Sequence, residues 1–278
     1  MLRKYLLLFY LMCIVAFLTQ DNLETPQITI STISDYKKAL KTYYKKYTPN
    51  FRITYLGKKQ DMVAFTNGKE NFFNLSNEME IENGSVKALL SQLHVRYSYA
   101  DDIVRMDFKV RYATDKLEIE HASYQAALVA DEIRAETADT YTQLKLVNDY
   151  IMKRTVYDEH AKNSNAAYGV FVDGRAVCQG YAHAAYLILK ELGYTVLYVS
   201  GIANGDTPHA WNLVKLGKHW YHLDVTFNDT SENTSKNKKY SYFLKSDNAM
   251  SYNHEWKRSA YPTSNLSYLE RYPNFDSK

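Results

Sequence analysis

The sequence predicts an α+β protein, and two patterns carry that prediction. Ala182, Ala185, Tyr186 and Leu189 recur at helical spacing directly after Cys178, and Leu192-Gly193 stops that helix. Further on, His209–Leu216 and His219–Asp224 flank Gly217-Lys218 as the two alternating strands of a hairpin.

The elements follow in chain order. Arg3 and Lys4 precede an uncharged run from Tyr5 to Leu18, the pattern of a secretory signal. The run is shorter than the roughly 20 residues a membrane span needs. No small-x-small cleavage site follows it. Residues 1–20 are therefore expected to be a cleaved signal or a short uncleaved anchor, with the bulk of the chain outside the cell. Residues 19–32 read as a polar connector. Ser34-Asp35 introduces a helix over Tyr36–Tyr47, with Ala39, Leu40, Tyr43 and Tyr44 on one side. Phe51–Leu56 alternates as a strand, and Asp61–Phe65 forms a second one before an Asn67-Gly68 turn. Ser85–Leu93 reads as helix. His94–Tyr99 and Ile103–Tyr112 are strands joined at Asp101-Asp102. Residues 25–115 thus form a small accessory α+β region without a catalytic pattern.

From Leu117 the periodicity turns helical. Ala126, Leu128, Val129 and Ile133 belong to one helix, and Tyr141, Leu144, Val147 and Ile151 to the next. A loop over Glu159–Asn165 follows, then a turn at Asp173-Gly174. Thr195–Ser200 is a strand, Gly201–Pro208 a loop, and Thr230–Lys239 a polar, basic loop. Residues 116–278 are expected to form the main domain.

Composition narrows the function. The 278 residues hold 46% hydrophobic and 23% charged side chains, the balance of a globular protein. A net charge of +3, from 34 Lys+Arg against 31 Asp+Glu, gives no footprint for nucleic acid. The two cysteines, Cys13 and Cys178, cannot build a disulfide framework or a Cys-rich metal centre. With the leader set aside, Cys178 is alone, so it is either an inert buried thiol or a thiol kept for chemistry.

Its position favours chemistry. Cys178 opens a helix, where the macrodipole and the free N–H groups favour an anion and can hold a developing oxyanion. The hairpin supplies partners. With Gly217 and Lys218 as the two loop residues, Leu216 faces His219, Trp211 faces Asp224 and His209 faces Thr226. His209 and Asp224 are then diagonal neighbours on one face, within side-chain reach. A loop one residue longer would put them on opposite faces. A neutral His can take a thiol proton, and an Asp behind it fixes the tautomer.

These residues also carry a resemblance. Ala176-Val177-Cys178-Gln179-Gly180-Tyr181-Ala182, His209-Ala210-Trp211-Asn212 and Trp220-Tyr221-His222-Leu223-Asp224-Val225-Thr226 resemble the transglutaminase-like superfamily, most closely its exported bacterial branch. Tyr242–Asp247 and His254-Glu255-Trp256 resemble that branch's C-terminal tail. The resemblance implies a papain-like fold, with a Cys-bearing helix packed on an antiparallel sheet. It implies a nucleophile, a base and an orienting carboxylate at Cys178, His209 and Asp224. Two departures accompany it. Thr226-Phe227-Asn228 stands where the family often has Thr-Trp-Asp, and Val177 and Gln179 flank the Cys where animal enzymes carry Gln and Trp. Their oxyanion Trp and their calcium dependence therefore do not carry over. The Cys178 N–H is expected to serve the oxyanion, with Gln179, Tyr168 and Trp211 as further candidates for oxyanion or substrate contact.

Other residues are expected to be structural. Trp211 has a second reading as a packing residue of the sheet, shared with Trp220. His219 and His222 lie on opposite strand faces and cannot share a metal. His160 and His183 read as surface or packing residues. No cofactor and no metal is expected. The expected function is cysteine-dependent acyl transfer on amide bonds outside the cell, as peptidase, amidase or crosslinker. Its partner would be a peptide or protein amide, such as cell-wall peptide, and it would meet a membrane only through the leader. The rival is a catalytically silent module of the same fold that binds cell wall or surface protein.

Overall fold

The computed structural model describes residues 25–57, 60, 84–229 and 240–274. The leader, the strand expected over Asp61–Phe65 with its turn, and the loop over Thr230–Lys239 lie outside the described residues.

The N-terminal region comprises β1 (Gln27–Ile30), α1 (Ile33–Lys45), β2 (Asn50–Leu56), α2 (Gly84–Leu89), β3 (Leu90–Ala100) and β4 (Ile103–Tyr112). Its sheet has the order β1-β2-β4-β3. Thr32 caps α1 by accepting the Asp35 N–H. Tyr36, Leu40 and Tyr44 then point from one face of α1 onto Phe51, Ile53 and Phe108, which alternate inward from β2 and β4.

Two expectations are corrected here. The connector contains β1, which pairs in parallel with β2 from Gln27↔Arg52 to Ile30↔Tyr55. Only its Ile30 is buried, so backbone pairing rather than side-chain patterning holds this strand. The helix expected over Ser85–Leu93 ends at Leu89. Leu90–Leu93 is extended because it pairs with β4, Leu90 against Tyr112 and Leu93 against Val110. Cross-strand packing overrides the local helical pattern.

The main region runs through α3 (Lys116–Glu136), α4 (Thr140–Arg154), β5 (Val156–Tyr157), a π-helical turn (Gly169–Asp173), β6 (Arg175–Ala176), α5 (Cys178–Glu191), β7 (Thr195–Ala203), β8 (Thr207–Leu216) and β9 (His219–Leu223). It closes with α6 (Val225–Asn228), β10 (Phe243–Lys245), α7 (Asp247–Met250), β11 (His254–Glu255) and α8 (Tyr268–Arg271). Asp115 and Glu118 form a capping box at the start of α3, and Asp139 caps α4. The antiparallel sheet has the order β10-β9-β8-β7-β11. β7 and β8 remain paired out to Ala203↔Thr207, so the loop expected over Gly201–Pro208 shrinks to residues 204–206. Asn204 and Gly205 turn it with φ of 51° and 97°.

The sheet has two different faces. On one, Ala210, Val214 and Tyr221 pack with Tyr181, Ala185 and Leu189 of α5 in a core shared with α3 and α4. On the other, Val199, Trp211 and Leu213 pack with Met250, Trp220 and Trp256. α5 is buried nearly all round, as a helix with few polar positions must be. Gly180 permits its seating: a Cβ there would lie 2.5 Å from the Ser164 carbonyl oxygen.

The N-terminal region is tied to α5 by polar contacts. The Gly84 N–H donates to the Tyr186 hydroxyl at 3.2 Å. His183 accepts the Ala167 N–H at Nδ1 (3.2 Å), leaving Nε2–H to donate to Ser85 Oγ at 3.3 Å. Burial pushes the His183 pKa down to about 3, so this ring is a neutral packing residue. His160 is exposed. Among the described residues, no helix is long and apolar enough to cross a membrane.

Leu189 is fully buried where α5 meets the sheet. Leu189→Ala should cost about 2–5 kcal/mol of stability, read from a urea-unfolding midpoint.

Candidate active site

Gly217 is the first residue of the β8–β9 turn, with φ of 58°, the left-handed backbone a II′ hairpin requires there. The register is the one a two-residue turn imposes: Leu216 pairs with His219, and the ladder runs on to Asn212↔Leu223. Because side chains alternate with period two, His209 and Asp224 emerge on the same face. His209 Nε2 lies 2.7 Å from Asp224 Oδ2. Both side chains are buried, at 5% and 0% exposure. The other ring nitrogen, Nδ1, makes no bond to Asp224, and the Cys178 thiol lies near enough to add to the ring's positive charge preference. Cys178 is itself 5% exposed at the first position of α5.

Asp224 is held from several sides. Its Oδ1 accepts the Phe227 N–H at 3.1 Å, which caps α6. Its Oδ2 also meets His254 Nε2 at 2.9 Å. Its own N–H donates to the Tyr242 carbonyl at 3.1 Å. Burial alone would raise its pKa, but His209 and His254 outweigh that and lower it to about 2. For His209, burial opposes the charged ring. The Asp224 charge and hydrogen bond, with a further contribution from Cys178, raise its pKa to about 10. The ring is therefore an imidazolium at neutral pH, beside the sulfur.

The remaining sequence candidates separate. Gln179 reaches the site: its Oε1 accepts from Cys178 Sγ at 3.2 Å, and it lines the cleft described below. Tyr168 does not line that cleft; its ring packs edge-on to His121 of α3, with centroids 5.8 Å apart. Trp211 is likewise not a lip over a substrate channel. It is 1% exposed, its ring lies 5.8 Å from His209 at 22°, and its indole N–H donates to His222 Nδ1 at 2.9 Å. As a strand residue of the same parity as His209, it is carried beneath the imidazole and supports it. His222 is anchored in turn by Asp247 Oδ1 at 2.8 Å. Burial holds the His222 pKa down against that carboxylate.

Several residues at the site were not assigned by sequence reasoning. His254 shares the Asp224 carboxylate; the His254-Glu255-Trp256 motif was its only trace. Phe227 sets its ring 4.7 Å from both His209 and His254. Asn228 joins α6 to α4 and to the residue before β10, donating to Asn148 Oδ1 at 2.9 Å and accepting the Tyr242 N–H at 2.8 Å. Asn212 donates to the Ala182 carbonyl at 3.1 Å and ties β8 to the Cys-bearing helix. Gly201 faces His209 across β7–β8, where a Cβ would lie 2.2 Å from the Glu255 carbonyl. Among the described residues, His209, Asp224 and His254 are the one trio of possible metal ligands. Their contacts of 2.7 and 2.9 Å are hydrogen bonds; zinc ligands at 2.0–2.2 Å from a metal stand roughly 3.3 Å from one another, so an ion does not fit between them as they are.

His209 and Gln179, the residue after Cys178, line a cleft of about 630 Å³, with Asn165, Tyr198 and Ser200 also from the main region. No side chain caps the start of α5, where Val177 precedes the thiol. The first N–H groups of the helix therefore point toward this site without a capping partner.

Residues 127–225 match the family model of the transglutaminase-like superfamily, a span that contains Cys178, His209 and Asp224. These residues form a transglutaminase-like core in a mixed α+β fold. Solved structures similar to the chain include a TGase, at 15% identity and TM-score 0.37, covering 78% of this chain and 63% of that one. A candidate cysteine protease from Cytophaga hutchinsonii matches at 15% identity and TM-score 0.34, over 49% of this chain and 62% of that one. The periplasmic domain of TgpA from Pseudomonas aeruginosa, bound to ethylmercury, matches at 16% identity and TM-score 0.33, over 46% and 57%. The chain thus spans less than two thirds of each of these structures. No curated protein sequence matches it.

The sign of the His209 shift gives a pH test. A raised folded-state pKa contributes stability that is complete below the unfolded value of about 6.5 and is lost as pH rises through about 10. The stability advantage of the parent over His209→Gln should therefore be larger at pH 6 than at pH 10. Urea melts of both proteins at the two pH values check this.

Proposed function

We propose that the protein is a cysteine-dependent acyltransferase acting on amide bonds, with Cys178 as nucleophile, His209 as acid and base, and Asp224 as orienting carboxylate. One observation carries the reading: an imidazole hydrogen-bonded to a fully buried carboxylate stands close to the thiol that opens α5, beside an open cleft. His209 holds the thiol proton. The Cys178 sulfur attacks the amide carbonyl carbon, forming a C–S bond, and the carbonyl oxygen becomes an oxyanion. The uncapped N–H groups at the start of α5 face that charge. As the C–N bond breaks, His209 gives its proton to the departing amine and a thioester remains. Water or a second amine then attacks the thioester; His209 takes its proton, and the acid or new amide leaves as the sulfur is released. Water makes the protein a peptidase or amidase, and a lysine-type amine makes it a crosslinker. The same three residues serve both.

The basic and apolar character of residues 1–20 supports action outside the cell, on peptide or protein amides such as those of a cell wall. Gln179 is the side chain best placed to assist at the sulfur.

Cys178→Ala should abolish turnover of amide substrates while leaving the unfolding midpoint near that of the parent. Full activity in that variant would overturn the mechanism. A second readout needs no substrate. Alkylation of Cys178 should persist near pH 5, where a free thiol of pKa about 8.5 is unreactive, and His209→Ala should remove that low-pH reaction. Peptide mass mapping separates Cys178 from Cys13. An ordinary pH dependence would point to the silent binding module instead.

A further inference from the structure

The N-terminal region supplies one whole wall of the cleft beside Cys178. Lys87 and Ala88 come from α2, Leu90 and Ser91 from β3, and Arg111 and Tyr112 from the end of β4. They face Gln179, Ser200 and His209 of the main region across the opening. The hydrogen bonds from Gly84 to Tyr186 and between Ser85 and His183 hold this wall against α5.

The charge of the opening is one-sided. Among the described residues, its charged lining groups are Lys87, Arg111 and His209, and none is acidic. Among the described residues, neither Lys87 nor Arg111 has a carboxylate partner. The Lys87 ammonium instead donates to the Tyr261 hydroxyl, 5.1 Å from that ring's centre, which steadies the cation without neutralising it. Arg111 is exposed on its strand, with its guanidinium donors open to a ligand. An anion entering this cleft meets the Lys87 ammonium, the Arg111 guanidinium and the His209 imidazolium.

We propose that this wall selects the substrate: the cleft takes a peptide that carries a carboxylate within a residue or two of the amide attacked by Cys178, and Arg111 and Lys87 bind that carboxylate. This rests on the acyl-transfer reading of Cys178. The region before residue 115 is then half of the binding site and sets specificity, while the transglutaminase-like core supplies the chemistry.

The test compares two alkylating reagents of similar size on the full chain, anionic iodoacetate and neutral iodoacetamide, with mass mapping at Cys178. The ratio of their rates reads the charge of the cleft at the sulfur. Arg111→Gln and Lys87→Gln should each lower that ratio, by about threefold per cation at low salt, with the difference fading at high salt. Circular dichroism of both variants checks that they remain folded. Protection of Cys178 from iodoacetamide identifies the source of the carboxylate. The two acidic probes are an amidated peptide with an internal glutamate and a neutral peptide with a free C-terminus. Protection by either one, beyond that of a neutral amidated peptide and weakened in Arg111→Gln, supports the proposal. Equal protection by all three peptides, with unchanged rate ratios in both variants, overturns it and leaves the acyl-transfer reading intact. A Cys178 unreactive toward both reagents at pH 5 and pH 7 overturns that reading, and this proposal with it.

Discussion

A charged carboxylate without solvent is the condition the rest of this structure satisfies. Asp224 is 0% exposed. Removing a carboxylate from water costs several kcal/mol unless hydrogen bonds and opposite charge compensate. Compensation comes from three separate segments: His209 on β8, His254 on β11 and the Phe227 amide of α6. Each of these segments must arrive at one point. The hairpin, the short helix that follows it and the returning C-terminal strand are all arranged by that requirement. It also explains why His254, distant in sequence, closes the sheet edge beside β7.

The two faces of the main sheet divide the labour. The face toward α5 is apolar and fixes the height of the Cys-bearing helix, with Asn212 and the bare Gly180 backbone setting its close approach. The opposite face is aromatic and rich in histidine. Trp211, Trp256, Phe227 and Tyr242 surround His209, His222 and His254 with rings, so each imidazole has little freedom except along its hydrogen bonds. Asp247 anchors His222, which holds the Trp211 indole beneath His209. The orientation of one ring is thus fixed from below by stacking and from the side by a carboxylate.

The parts of this arrangement legible in the sequence were those set by short-range geometry. A two-residue turn and a period of two place His209 and Asp224 on one face without any tertiary information. Cys178 stands before an uninterrupted helical stripe, so its place at a helix start could be read directly. The unread parts depend on partners far along the chain. β1 has one buried side chain and exists because β2 offers it a free edge. The switch from α2 to β3 between Leu89 and Leu90 carries no breaker residue; pairing with β4 decides it. Trp211 could have capped the substrate channel or filled the far face of the sheet. Only the packing of Met250 and Trp256 against it, both from the C-terminal tail, decides between these. The role of Arg111 was invisible because nothing near it in sequence marks a site.

The turn at Gly217-Lys218 has a consequence for how this chain could change over evolutionary time. Exposed hairpin tips ordinarily absorb insertions and deletions at small cost, since no core packing is at stake. Here the tip sets the phase of β9 relative to β8. A single inserted residue, unless taken up by a bulge, would turn Asp224 to the apolar side of the sheet and face His209 with a hydrophobe. Drift in length at this surface loop is therefore restricted to even steps or to paired, compensating changes. An odd step would silence the site while leaving every one of its side chains present in the sequence.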